Sequence, residues 1–388
     1  MRTIVSVAGK FHMFFLAKQL QERGYLERFI TSYPKFEAIK YGIERGKTRS
    51  ILIKEILERG WHKLPFAIRR KLDLEYAILE IYDRLAARQV VACDIFTGFS
   101  SSSLYGMRRA KELGALAIAE HASSHPIYQR DILSEEYEKF GVRGEISNEK
   151  IINKELRAFE EADYITVPSK FVKRTFLEKG IPEAKIIHVP FGVDLGAFRQ
   201  VEKEDNKFRV VFAGGLSLRK GVHYLLQACA ELNLPNSELM LMGALNDEIK
   251  PFFSRYAGSY RYLGHIPHFE MYKYYSQGSV FAMMSIEEGL AYVQAQAMAC
   301  GLPVICTTNT GGDDIVRDGI DGFVIPIRNV DALKEKLLYL YERPEELKRM
   351  SESAKQRVAS GFTWDDYGKK IVAEYERVLA KKTHEPGK

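Results

Sequence analysis

A chain of 388 residues is longer than one ordinary hydrophobic core accommodates, and 46% hydrophobic with 28% charged residues is the composition of a globular protein of two domains, not of a disordered or fibrous one. Its four cysteines, Cys93, Cys229, Cys300 and Cys306, lack C-x-x-C spacing and lie in apolar contexts, which argues against a disulfide framework and predicts reduced core thiols in a cytoplasmic protein. The net charge of +6 is local: eleven Lys/Arg against four Glu fall between Lys35 and Lys71, so the remainder of the chain sums to −1.

In chain order, RTIVSVA predicts a short buried strand, Gly9 and Lys10 a turn, and FHMFFLAKQLQERG a helix closed by Gly24. The basic stretch 35–71 carries Phe36, Trp61 and Phe66, and within it Ile51, Ile53, Ile56, Leu57 and Leu64 recur near helical spacing. Two readings fit: an amphipathic basic segment that docks on an anionic membrane surface, at the inner face of the membrane, and a solvated insertion whose apolar face is ordinary core. Nucleic acid is not expected as a partner, because no nucleic-acid module accompanies the charge. CDIFTGF, ALAIAEH, DYITVPS and KIIHVPFGVD then read as strands; SSSLYGMRRAKELG, the region from EEYEKF to EEA, and SKFVKRTFLEKG read as helices.

After the polar stretch LGAFRQVEKEDNKF the rhythm repeats. The strands FRVVFAG, ELMLMG, VFAMM and PVICTT alternate with the helices KGVHYLLQACAEL, HFEMYKYYSQG, LAYVQAQAMAC and VDALKEKLLYLYERP. Repeated βα units predict two doubly wound α/β domains, 1–194 and 208–362, joined by a linker over 195–207 and facing a cleft. A last helix over 363–380, opened by Thr363 and Asp366 in capping-box spacing, lines Trp364, Tyr367, Ile371, Tyr375 and Val378 along one face and so must pack on something. The KKTHEPGK tail reads as disordered, and no apolar run approaches the ~20 residues that span a bilayer.

Two strand-to-helix turns carry candidate chemistry. In SIEEGLA (285–291), Glu287 or Glu288 either caps the following helix, or Glu288 and the open N–H groups face a ligand at the carboxyl ends of parallel strands. In FAGGLSLRKG (212–221), Gly214 and Gly215 let backbone N–H groups approach a phosphate and Arg219 and Lys220 supply countercharge, the alternative being a plain tight turn. The stretch is neither GxxxxGK[ST] nor GxGxxG. The histidines are too scattered for a metal motif, so no metal is expected. Asp313 and Asp314 read as helix-start acids, and Ser100 to Ser103 as a loop and cap.

Taken together, the segments of 208–328 resemble the nucleotide-sugar domain of the retaining glycosyltransferases of family 4, which have the GT-B fold of two Rossmann-like domains. FAGGLSLRKGVHYLLQA, YLGHIPHFEMYKYYSQGSVFAMMS and EEGLAYVQAQAMACGLPVICTTNTGGDDIV match in order and spacing, VPSKFVKRTFLEKGIPEAKIIHVPFGVDLGAF resembles the end of the first domain, and the N-terminal third is only loosely similar. The resemblance implies that Glu288 holds donor-sugar hydroxyls, Gly289 and Leu290 offer backbone N–H groups, and Lys220 binds phosphate. It implies that Gly9 and Lys10 lie near the phosphates, that His265 and Ile266 border the base, that Gln296 stands at the ribose position, and that His121 reaches the donor. The final helix would cross back onto the first domain. Gln296 where an acid is usual, Gly215 where a basic residue is usual, and Ala291 in place of a glycine point to altered donor preference or weakened activity.

The implied function is metal-independent transfer from a nucleoside-diphosphate sugar, a co-substrate and not a cofactor, to a glycan or lipid-linked acceptor, as in cell-surface polysaccharide or lipopolysaccharide synthesis. The alternatives are a nucleotide-sugar epimerase of the same fold and a non-catalytic member that binds nucleotide or glycan.

Overall fold

The computed structural model describes residues 1–63, 74–144 and 146–384. The end of the basic stretch from residue 64 on, with Leu64 and Phe66, lies outside the described residues, as do the last four positions of the tail. Two parallel sheets organise the chain. The first has the order β3-β2-β1-β4-β5-β6-β7, with β1 at Thr3–Val7, β2 at Leu26–Thr31, β3 at Thr48–Ser50, β4 at Ile95–Phe99, β5 at Leu116–Glu120, β6 at Tyr164–Val167 and β7 at Ile186–His188. The second has the order β10-β9-β8-β11-β12-β13, with β8 at Phe208–Ala213, β9 at Ser237–Met242, β10 at Arg261–Tyr262, β11 at Val280–Met283, β12 at Val304–Thr307 and β13 at Gly322–Ile325.

The strands read as near-continuous apolar runs because helices cover both faces of each sheet. Alternate residues feed different cores: Ile4 of β1 packs behind the first sheet with Phe96 and Phe159, while Val5 and Val7 face the opposite way. In β8, Val210 and Phe212 join the outer core of the second domain, and Val211 and Ala213 join an inner core that runs through both domains. Strand order reverses between β1 and β4 in one sheet and between β8 and β11 in the other. Each reversal opens a crevice at the carboxyl ends of the strands, where α/β sheets bind ligands.

Two helices cross between the domains. The C-terminal helix Trp364–His384 begins with Thr363 and Asp366 in reciprocal hydrogen bonds, Thr363 N donating to Asp366 Oδ2 at 3.0 Å and Asp366 N to Thr363 Oγ1 at 3.1 Å. It lies against the helix Met13–Glu22, with Trp364 stacked on Phe15 at 3.9 Å and Arg23 paired to Asp365 at 2.6 Å. It runs through His384, so the first four residues of the tail are helical.

The second crossing helix runs the other way. The region from EEYEKF to EEA is two helices, Pro126–Lys139 and Glu149–Glu161, separated at Gly141, which has φ +64°, and restarted by Asn148, whose side chain accepts from Lys150 N at 2.7 Å. Pro126–Lys139 leaves the end of β5, yet Leu133 and Tyr137 pack in the outer core of the second domain. The chain also forms a helix at Pro344–Ala359 that its sequence rhythm left unread.

The helix Ile53–His62 in the basic stretch is turned inside out. Lys54 and Glu55 are its buried residues, Glu55 accepting from Ser32 Oγ at 2.7 Å and Lys54 pairing with Glu58 at 2.7 Å. Ile53, Ile56 and Leu57 are exposed, Ile56 by 65%, as are Phe36 and Ile39 on the neighbouring helix Lys35–Lys40. Ile53, Ile56 and Leu57 are therefore not core, whereas Ile51, just before the helix, packs half-buried against the first-domain core.

Candidate active site

The two turns singled out in the sequence meet at the switch point of the second sheet. After β8, Gly214 and Gly215 lead into a turn in which Lys220 N donates to Ser217 Oγ at 3.2 Å. Gly221, at φ +63°, starts the helix Val222–Leu232; a Cβ there would meet the Met284 carbonyl oxygen at 1.8 Å, so only glycine lets this turn lie against the end of β11. After β11, Ile286 N donates to Arg219 O at 2.8 Å, which ties the two turns together. Asn309, beyond β12, closes the second turn from behind: its Nδ2 donates to Ile286 O at 3.0 Å and its carbonyl accepts from Glu288 N at 2.9 Å.

The charges on these turns are paired crosswise. Lys220 Nζ meets Glu288 Oε1 in a close ion pair. Arg219 meets Glu287, with Nη2 and Nε at 2.9 and 3.0 Å from Oε2. Glu287 is fully buried and also accepts from Ser124 N, Ser124 Oγ and Gln129 Nε2 at 3.0, 2.7 and 2.9 Å, all from the first domain. Burial alone would raise its carboxyl; Arg219 and these donors outweigh burial and hold it below the usual carboxylate range. Neither acid caps the helix Tyr292–Ala299, whose N-cap is Ala291 with no side-chain bond: Glu288 stands beside Lys220, and Glu287 faces the first domain.

The first domain closes on this region from β5 and β6. Gly289 O accepts from Ser169 Oγ at 2.7 Å, and a Cβ on Gly289 would strike the Ala122 carbonyl at 1.6 Å. Asp314, read as a helix-start acid, accepts from Lys170 N at 2.7 Å and pairs with His188 at 3.0 Å, so it too crosses between domains. Leu290 is buried in the shared inner core.

His121 is held within the first domain. Its Nε2 lies 3.1 Å from Ser124 O and its Nδ1 2.9 Å from Ser100 Oγ, and burial pushes it down to about 4, so it is a neutral ring engaged on both sides within the first domain. Lys10 is likewise occupied, by Glu37 at 2.9 Å, and Gly9 backs onto the Phe11 ring. On the far side of the second sheet His265 is exposed and Ile266 half-buried, after Gly264, whose carbonyl accepts from Gly243 N at 2.8 Å. Gln296 is half-buried on the helix Tyr292–Ala299.

Between the domains lies a cavity of about 890 Å³, within the size range of ligand sites. Gly215, Ser217, Arg219, Lys220 and Asn246 line it from the second domain; Ala8, Phe11, Ser101, Gln129, Leu133 and Tyr137 line it from the other side. Trp61, read as an interfacial aromatic, also lines it. Among the described residues no group of three or more His, Cys, Asp or Glu could hold a metal ion. Ser124, Gln129 and Tyr137 escaped the reading of site residues: they lie on a first-domain segment with no glycine turn to mark it.

Residues 196–357 match the family of glycosyl transferases group 1. The GDP-mannose-dependent monoacylated alpha-(1-6)-phosphatidylinositol monomannoside mannosyltransferase of Corynebacterium glutamicum is 24% identical over 235 residues, 55% of this chain and 61% of that protein. The chain thus spans less than two thirds of the length of the curated relative it matches. Among solved structures, sucrose-phosphate synthase from Thermosynechococcus elongatus superposes with a TM-score of 0.77 at 18% identity, covering 98% of this chain and 100% of that one. Anabaena HepE in complex with UDP and glucose superposes at 0.70 and 15% identity, covering 97% and 100%. The fold is GT-B, and the second domain, over residues 196–357, is similar to the glycosyl transferases group 1.

Proposed function

We propose that the protein is a retaining glycosyltransferase that moves a sugar from a nucleoside-diphosphate sugar to a hydroxyl of a glycan or lipid-linked saccharide. The observation that carries this reading is the meeting of the Gly214–Lys220 turn and the Glu287–Glu288 turn at one switch point, where Arg219 and Lys220 line the interdomain cavity and pair with Glu287 and Glu288 behind them. Lys220, with the part of Arg219 not engaged by Glu287, supplies positive charge where the departing diphosphate becomes more negative, which is where preorganised charge lowers a barrier. Once Lys220 turns to phosphate, Glu288 is released to accept hydrogen bonds from sugar hydroxyls. Gln296, His265 and Ile266 border the nucleoside, and His121 acts through the Ser124 turn.

In this scheme the bond from the anomeric carbon to the diphosphate oxygen breaks and a bond to the acceptor oxygen forms on the same face of the sugar. The acceptor's proton passes to the departing phosphate oxygen, and no metal ion takes part. Seating of the two domains against each other excludes water. The matched mannosyltransferase is named for GDP-mannose and HepE was solved with UDP, so both donor classes are candidates. A lipid-linked acceptor presented at a membrane is supported by the exposed Phe36, Ile39, Ile53, Ile56 and Leu57 within the basic stretch.

Thermal-shift titration with UDP, GDP, ADP, dTDP and CDP and their sugar conjugates tests the reading. One nucleotide class should stabilise the protein by about 2.7 kcal/mol at a hundredfold excess over Kd, a shift of several degrees. Lys220→Ala should abolish both that shift and turnover, and unchanged binding and turnover in this variant would overturn the assignment. Product from donor alone marks an epimerase; binding without turnover marks a non-catalytic member.

A further inference from the structure

Five donor contacts converge on the buried Glu287 carboxylate. Ser124 N and Oγ take Oε1, while Gln129 Nε2 and two nitrogens of Arg219 take Oε2. No amide can replace it, because an NH2 would face either Ser124 N–H or the Gln129 and Arg219 donors. Its donors come from both sides of the cavity. Ser124 follows β5 and Gln129 sits in the first turn of the helix Pro126–Lys139, whereas Arg219 belongs to the phosphate-type turn after β8. The other end of the same helix is held by the second domain: Glu136 is fully buried, within 3.0 Å of His223 Nε2 and accepting from Tyr224 OH and Arg328 Nε at 2.9 and 2.6 Å. This helix, with Gln129, Leu133 and Tyr137 lining the cavity, forms part of its wall on the first-domain side.

We propose that Glu287 is a positioning residue, a latch that sets the helix Pro126–Lys139 and the Arg219 side chain in register across the donor cleft. The inference rests on the donor reading of that cleft, but the latch itself is a statement about two domains and one carboxylate. When the helix lifts, Glu287 loses three of its donors and gains water, and Arg219 loses its fixed partner. When it seats, wall and guanidinium are placed together.

The test uses the full chain with Glu287→Gln, Ser124→Ala and the double variant, read by amide hydrogen exchange and by transfer kinetics. Expected is faster exchange over 126–139 in both single variants, with the helix Trp364–His384 as protected as in the wild type. Turnover should fall by ~10²-fold in Glu287→Gln, the size of loss that a misplacement of about 1 Å produces. Ser124→Ala, which touches neither Arg219 nor the cavity, should move kcat in the same direction by a smaller factor, and the double variant should be no worse than Glu287→Gln alone. Wild-type exchange over 126–139 in both single variants, or multiplicative losses in the double variant, overturns the latch. If Glu287→Gln does not fold, Ser124→Ala alone decides, by exchange over 126–139. If nucleoside diphosphates bind none of the proteins, the donor reading has failed, and the exchange data still report the latch.

Discussion

His121 and Glu155 share one hydroxyl, that of Ser100, so their protonation states are linked. His121 Nε2 faces the Ser124 carbonyl and so carries the hydrogen, which leaves Nδ1 as an acceptor for Ser100 Oγ. Ser100 has a single hydrogen, and with His121 neutral that hydrogen goes to Nδ1, so a protonated Glu155 completes the chain across the 3.0 Å to its Oε1. Burial agrees, pushing the Glu155 carboxyl up to about 7. Because the folded-state value is raised above the unfolded one, the stability from this group is full at acid pH and is lost as pH rises through about 7. Glu155→Gln, a fixed copy of the protonated acid, should lose less stability than the wild type between pH 5 and 8, by a few kcal/mol at most. Thermal denaturation across that range measures it, and parallel curves for the two proteins would exclude a protonated Glu155. At this scale the placement of Lys220, Arg219 and Glu288 on strand-to-helix turns was legible because each turn is contiguous in the chain. Ser124 and Gln129 were not, since they meet Glu287 only after some 160 residues of intervening chain have folded.

Among the elements, those with a complete local signal stand where the sequence put them. The capping box at Thr363 and Asp366 opens the last helix, and its apolar face meets the first domain through Trp364 on Phe15. Trp364→Ala should destabilise the protein by about 2 kcal/mol, less than a fully buried tryptophan, because the ring is half-buried. Thr363→Ala should cost about 1 kcal/mol. Both are read by thermal melting, and a melting point unchanged in Trp364→Ala would mean that the stacked ring does not hold the helix in solution. Two stretches were decided by packing and not by their own pattern. The region from EEYEKF to EEA looked continuous because both its helices are rich in charge, although Gly141 and Asn148 mark the break. The helix Ile53–His62 has the period of a core helix, but buries the opposite face: Lys54 and Glu55 satisfy each other, Ser32 and Glu58 within the fold, which leaves the isoleucines outside.

For the molecule as a whole, that inverted helix presents an apolar surface within a stretch of net positive charge, and among the described residues no helix is long and apolar enough to cross a membrane. Sedimentation with vesicles should show binding to anionic and not to neutral lipid, weakened by added salt. Ile56→Glu should reduce that binding by about tenfold or more, given the cost of taking one buried aliphatic chain away from lipid and adding a charge. Absence of binding to both vesicle types would remove the membrane contact from the proposed function. The sequence by itself determined the α/β rhythm, the two parallel sheets and the two turns that carry Lys220 and Glu288, because strand period, glycine turns and helix caps are short-range physics. Only the tertiary structure decided that Glu287 turns to the first domain and Glu288 to Lys220, that His121 is held inward, and that the helix Pro126–Lys139 lies on the second domain. Those outcomes depend on which donors converge on a buried carboxylate and which apolar faces close on one another, and neither is written in the spacing of neighbouring residues.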